Sequence, residues 1–165
     1  MGSEEEYFKF VDDNSNDCIT GWSLGTPLSE YIDNNPSFFA FNQDPVFLCM
    51  AQNQFMHRES ILDERILQPE ETYANVRVLD GVEINVELYN NDNAKVIITI
   101  NNGSDTFGDI KEECERVLLL TSDMPIIGWM VDGQDVDASD KVFDHITRPG
   151  QLIVAVTELL QNCKL

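Results

Sequence analysis

Apolar residues fall at every second position in four short segments of the second half of the chain. In the first, Ile84, Val86 and Leu88 share one face while Asn85 and Glu87 take the other. Val96, Ile98 and Ile100 repeat the pattern, as do Ile127, Trp129 and Val131, and finally Leu152, Val154 and Val156. Alternation of this kind predicts half-buried strands. Between the second and third segments the spacing changes. Phe107, Ile110, Cys114 and Val117 or Leu118 form the apolar stripe of a helix, with Lys111, Glu112, Glu113 and Glu115 towards water. Turn-forming residues punctuate the series at Tyr89-Asn90-Asn91-Asp92-Asn93 and at Asn102-Gly103-Ser104-Asp105-Thr106. Thr106 is the expected N-cap of the helix, and Asp109 puts an acid where the first turn favours one. Strand–strand–helix–strand–strand between Ile84 and Glu158 is an order that few small α+β folds share.

The first half has no such regularity. Residues 1–45 are broken up by Asn, Asp, Ser, Gly and Pro, and they read as an acidic, partly irregular extension. Aromatic residues are nevertheless frequent there, which separates the stretch from a disordered tail. Acidic segments with interspersed aromatics anchor in partner grooves, so Trp22, Phe38, Phe39 and Phe41 are candidate protein-binding residues. Packing of the same phenylalanines on the chain's own sheet is the alternative. Asp44-Pro45 is a good helix start, and Phe47, Leu48, Ala51, Phe55, Ile61, Leu62 and Ile66 predict a helical segment over 46–68, ended by Pro69. Residues 69–82 supply a linker or an extra strand, since Tyr73, Val76 and Val78 are β-formers. The regular domain is then 83–160, followed by a tail at 161–165.

Charge narrows the range of partners. The chain of 165 residues carries a net charge of −20, with 15 acids against 4 bases in residues 1–80 and 15 against 6 in the remainder. Such a field repels nucleic-acid phosphates and anionic membranes and favours basic partners. No apolar run approaches the roughly 20 residues that cross a bilayer. Cys18, Cys49, Cys114 and Cys163 form no CxxC or Cys/His cluster, and no basic stretch with an apolar core opens the chain. The expectation is a cytoplasmic or nuclear protein with reduced thiols.

Catalysis has little to build on. The histidines are His57 and His145. Cys49 and His57 stand eight residues apart, a spacing that puts them on one face of the predicted helix. Buried cysteine is the commoner reading of such a pair. No Gly-rich phosphate loop, metal-ligand spacing or GxSxG elbow is present. The chain is therefore read as a non-enzyme without cofactor or metal.

The second half resembles the ubiquitin-like (β-grasp) family. The hairpin followed by Ser104-Asp105-Thr106, with Ile110-Lys111 one turn later, is similar to ubiquitin's passage into its long helix. Trp129-Met130-Val131-Asp132-Gly133-Gln134 resembles the family's strand that ends in a glycine turn, and Gly150–Val156 its closing strand. Val142-Phe143-Asp144-His145-Ile146 resembles the Leu-x-Asp-Tyr-x-Ile segment, one residue short and with histidine in place of tyrosine. Conjugated members end in glycine; here Thr157–Leu165 follows the last strand without one, which implies a fixed domain rather than a modifier.

The resemblance also implies an outer-face apolar patch. Met130, Ile153 and Ala155 match its positions and are taken as outward, with Ile97 on the same face. Asp132, Asp135, Asp137 and Asp140 lie where PB1-type relatives carry an acidic cluster, although a solvated turn explains them as well. The expected protein is a non-catalytic interaction subunit or adaptor whose partner is basic or offers an apolar groove. A ubiquitin-mimicking regulator and an acidic chaperone or nucleic-acid mimic are the alternatives, and the oligomeric state is left open.

Overall fold

A computed structural model describes residues 7–12, 16–21, 25–40, 42, 44–50, 52–61, 73–89, 91–120 and 124–157. The chain is α+β and divides into two compact units. Residues 1–81 with 101–103 make the first, and residues 82–100 with 104–165 the second.

The second unit follows its alternating pattern in β6 and β7. Strands β6 (Val82–Leu88) and β7 (Asn91–Ile100) form an antiparallel hairpin, and helix α2 (Phe107–Val117) follows. Strands β8 (Ile126–Val131) and β9 (Gln134–Val136) pair antiparallel. A short helical turn over Val142–His145 then leads to β10 (Leu152–Thr157), which enters the centre of the sheet parallel to β6. Helix α2 starts where expected. The Thr106 hydroxyl accepts the Asp109 N–H at 3.1 Å, and the Asp109 carboxylate accepts the Thr106 N–H at 2.9 Å. Asp132 and Gly133 have φ of 53° and 77°, the left-handed pair that a two-residue hairpin turn requires. Val82, Ile84, Val86 and Leu88 on β6, Ile98 and Ile100 on β7, and Phe107, Ile110 and Cys114 on α2 fill the core.

The first unit corrects the expectation of an extension. Strands β1 (Tyr7–Val11) and β2 (Asp17–Gly21) form an antiparallel hairpin, α1 spans Leu28–Asn34, and β3 (Val46–Cys49) pairs antiparallel with β4 (Gln54–Met56). Strand β5 (Tyr73–Leu79) lies at the centre, parallel to β1 and antiparallel to β3. The helix predicted over 46–68 is replaced, in its described part, by these two strands. Phe47 and Cys49 alternate with half-buried Leu48 and pair with Met56 and Gln54, so the sheet's period overrides the helical spacing. Of the two readings for 69–82, the extra strand is the one observed, as β5. The expectations for residues 62–72 and 158–165, including Pro69 and the tail, lie outside the described residues.

The two sheets have one topology. Their orders are β2-β1-β5-β3-β4 and β7-β6-β10-β8-β9, each being the second, first, fifth, third and fourth strand of its own unit. The repetition extends to single hydrogen bonds. The Leu28 and Ser29 N–H groups donate to the carbonyls of Ser60 and Arg58 at 2.9 and 2.7 Å, as those of Phe107 and Gly108 donate to Asp140 and Ala138 at 3.1 and 2.8 Å. The turn that accepts them is built twice. The His57 N–H donates to the Ser60 hydroxyl at 2.9 Å, and the Asp137 N–H donates to the Asp140 carboxylate at 3.2 Å. Pro27 bridges Ile61 just as Thr106 bridges Lys141.

Candidate docking face of the second sheet

Strand pairing decides which side chains of the second sheet face away from its helix. Ile153 lies opposite Val86 and Val131, and Ala155 opposite Leu88 and Trp129, all on the core side. Both residues are 0% exposed, which corrects their outward assignment. Leu152 and Val154, expected inside, are half-buried and out of phase for the same reason, whereas Val156 is buried at 6% as expected. Leu152-Ile153-Val154-Ala155-Val156 is an unbroken apolar run, and a shift of one residue exchanges its faces.

A second irregularity lies on β8. The β8–β10 register shifts after Val156, where Thr157 faces Ile126 and Ile127 is left over. Ile126 and Trp129 are therefore buried at 3%, while Ile127, expected inside, is 49% exposed.

The outward face is consequently Val154 and Leu152 with Met130 and Ile97. Val154 stands directly opposite Met130, while Leu152 and Ile97 both face Asn85 from either side of β6. Met130, Leu152 and Val154 are half-buried and Ile97 is 56% exposed. Thus Met130 and Ile97 lie where they were expected, and Leu152 and Val154 take the places given to Ile153 and Ala155. Charged groups frame the patch. Glu87 flanks Val154 and sits 3.8 Å from Lys95, Asp135 flanks Met130, and Glu83 is exposed on β6. Gln151 anchors the start of β10. Its side-chain Oε1 accepts the N–H groups of Thr147 and Arg148 at 2.6 and 2.9 Å, and its Nε2 donates to the Asp132 carboxylate at 2.9 Å.

The aromatic candidates of the first half have a different place. Phe39 is 2% exposed, and Phe38 packs partly buried on the first unit's core. Their rings meet edge-on at 5.0 Å, and Phe39 meets Phe10 at 5.3 Å. The alternative reading of these two residues, packing within the chain's own fold, is the one seen. Trp22 and Phe41 lie outside the described residues.

Cys49 is on β3 and His57 in the turn after β4, so the shared helix face does not exist. Burial, and after it Glu113 and Glu115, pushes the Cys114 thiol up to about 12. Burial and then Asp17 raise that of Cys18, whose sulfur donates to the Asn35 amide oxygen at 3.3 Å. Both shifts favour the protonated thiol. Among the described residues no group of three or more His, Cys, Asp or Glu is placed to hold a metal ion. No helix among them is long and apolar enough to cross a membrane. The clefts described are a pocket of about 220 Å³ beside Ile32, Asp33, Pro36 and Phe39 and an open polar one beside Asn42, Asp80, Asn101 and Asn102. Comparison of the chain with protein-family models and with curated proteins gives no match.

Proposed function

We propose that this chain is a non-catalytic adaptor built from ubiquitin-like (β-grasp) units, and that it binds protein through the outer face of the second sheet. The observation that carries this reading is the apolar group Met130, Leu152 and Val154 between Glu87 and Asp135, with Ile97 beyond Asn85 on the same face. An apolar patch rimmed by charge marks an interaction surface. The β-grasp assignment is supported by the strand order of each sheet, with the first and last strands parallel at the centre and a helix connecting the two hairpins. The first half then contributes as a folded unit in place of an acidic tail. Acidic flanks favour a partner that sets basic residues around an apolar anchor, with the cytoplasm or nucleus as the compartment. Replacing Met130 by Arg together with Val154 by Asp abolishes that binding and leaves the circular dichroism of the full chain unchanged. Partners that co-purify equally with the double variant and the unaltered chain would remove the patch from the reading.

The position of the patch on the central and third strands favours one further reading, a ubiquitin-mimicking regulator. Titration with isolated ubiquitin receptors separates the two, because a mimic shifts the amides of Met130, Leu152 and Val154. The net charge of −20 supports an acidic chaperone or nucleic-acid mimic, whose binding disappears at modest salt and ignores the patch variants.

A further inference from the structure

We propose that Ser60 is a phosphorylation site, the phosphoryl acceptor for an acid-directed serine protein kinase. The site is independent of the docking face. It lies in the turn that holds the start of α1, and that turn is repeated in the second unit bond for bond. The Ser60 N–H donates to the His57 carbonyl at 2.8 Å, as the Asp140 N–H donates to that of Asp137 at 3.0 Å. The His57 N–H donates to the Ser60 hydroxyl as the Asp137 N–H donates to the Asp140 carboxylate. Inside the turn the His57 Nδ1 accepts the Glu59 N–H at 3.3 Å, and an Asp137 carboxylate oxygen accepts that of Ser139 at 3.2 Å. His57 and Ser60 therefore stand where the second unit has Asp137 and Asp140.

The two turns share their geometry and differ in charge. The second carries the carboxylates of Asp137 and Asp140, the first an imidazole and a hydroxyl. An anion is favoured at this place. The Asp140 carboxyl is held below the usual range by its hydrogen bond with His145 and next by the Asp137 N–H, whose counterpart is the His57 N–H. A phosphate on Ser60 adds a charge of about −1.5 to −2, close to what two carboxylates supply, and offers its oxygens to that same N–H. Acidic residues also surround the serine in the chain, Glu59 before it and Asp63 and Glu64 after it. Such a run suits a kinase whose substrate cleft is basic. Glu59 and Ile61 are exposed on either side of half-buried Ser60, so the turn lies at the surface and a local opening presents the hydroxyl. In the transfer the Ser60 hydroxyl oxygen bonds to the γ-phosphorus of magnesium-bound ATP as the bond from that phosphorus to the bridging oxygen breaks. ADP leaves with the electron pair, and the hydroxyl proton passes to the kinase's catalytic carboxylate.

Ser3 precedes Glu4-Glu5-Glu6 and offers an acidic run of the same kind, so the full chain carrying Ser3→Ala is the substrate to use. Incubated with an acid-directed serine kinase and magnesium ATP, it is expected to gain a phosphate that tandem mass spectrometry places on Ser60, and the further change Ser60→Ala removes it. At about pH 8, above the phosphate's second ionisation, modification moves the His57 amide resonance downfield as its hydrogen bond to the dianion shortens. The Leu28 and Ser29 amides, which donate to the carbonyls of this turn, stay protected from exchange. Ser60→Asp places the second unit's carboxylate in the first and is expected to preserve that protection without any kinase. Phosphate found only on other residues, or none at all while an acidic reference peptide is fully modified, overturns the proposal. So does loss of Leu28 and Ser29 protection in either the phosphorylated chain or Ser60→Asp, because the turn would then reject the anion.

Discussion

The two units reach one topology with different materials. The core of the first is aromatic: the Phe10 ring lies 5.3–6.4 Å from those of Tyr31, Phe38, Phe39 and Phe47. That of the second is mostly aliphatic around a Phe107–Trp129 pair at 5.6 Å. Helix α1 has 7 residues, follows Pro27 and has no side-chain cap, whereas α2 has 11 and a full capping box. A helix as short as α1 is marginal on its own, and burial of Leu28, Tyr31 and Ile32 holds it. The β8–β9 hairpin turns in two residues, whereas four separate β3 from β4. What the units share is the order of elements, one apolar face per sheet and the hydrogen bonds that tie the helix start to the turn after the fourth strand. The topology therefore depends on pattern and connection, while the filling of the core is free to vary.

The largest test of that comparison removes one ring from each core. Phe10→Ala and Trp129→Ala are each expected to cost about 3–5 kcal/mol, with hydrogen exchange accelerating first in the unit that carries the change. Equal acceleration in both units would make them one cooperative body. Glycine contacts rank next. A Cβ on Gly103 would lie 2.8 Å from the Pro45 carbonyl oxygen, whereas one on Gly128 meets only the Val156 Cβ at 3.7 Å. Gly103→Ala should lower stability by about 1–3 kcal/mol in urea melts, and Gly128→Ala should stay within about 0.5 kcal/mol.

The cap of α2 comes third. Thr106→Ala is expected to cost about 1 kcal/mol, with lost exchange protection in the first turn of the helix. An unchanged midpoint would mean that Asp109 and the Asp140 carbonyl suffice to hold that turn.

The smallest effect concerns the duplicated turn. Asp140 is held below the usual carboxylate range, chiefly by its side-chain hydrogen bond with His145 at 3.0 Å and then by the Asp137 N–H. A lowered folded-state value stabilises above the ordinary carboxylate range and is lost as pH falls through it. Asp140→Asn should therefore lower the melting temperature at neutral pH, and the gap should close below about pH 4. Ser60 occupies the equivalent place in the first unit, so Ser60→Ala should show a pH-independent change. A gap for Asp140→Asn that widens in acid contradicts the assignment.

Much of the second unit is legible in the chain itself. Strict alternation at Ile84–Leu88, the Thr106–Asp109 cap, the stripe Phe107, Ile110 and Cys114, and the Asp132-Gly133 turn are local signals, and each appears in place. The first unit hides because its signals are short. Strands β3 and β4 have 4 and 3 residues, and apolar residues on both strands mimic a helical stripe when read as one segment. Strand β1, Tyr7-Phe8-Lys9-Phe10-Val11, breaks an apolar run at one polar residue and shows no strict alternation, so its aromatics read equally well as anchors in a tail.

Composition and local pattern alone set the charge, the helix and four longer strands of the second half and the inward side of β6 and β7. Each of these is a property of composition or of neighbours a few residues apart. The tertiary structure alone decided that residues 7–79 contain a second five-stranded sheet, that Phe38 and Phe39 belong to its core, and that Leu152 and Val154 face outward while Ile153 and Ala155 do not. The physical reason is the same in each case. A central strand such as β5 or β10 takes its register and its facing from strands distant in the chain, and an apolar run carries no phase of its own.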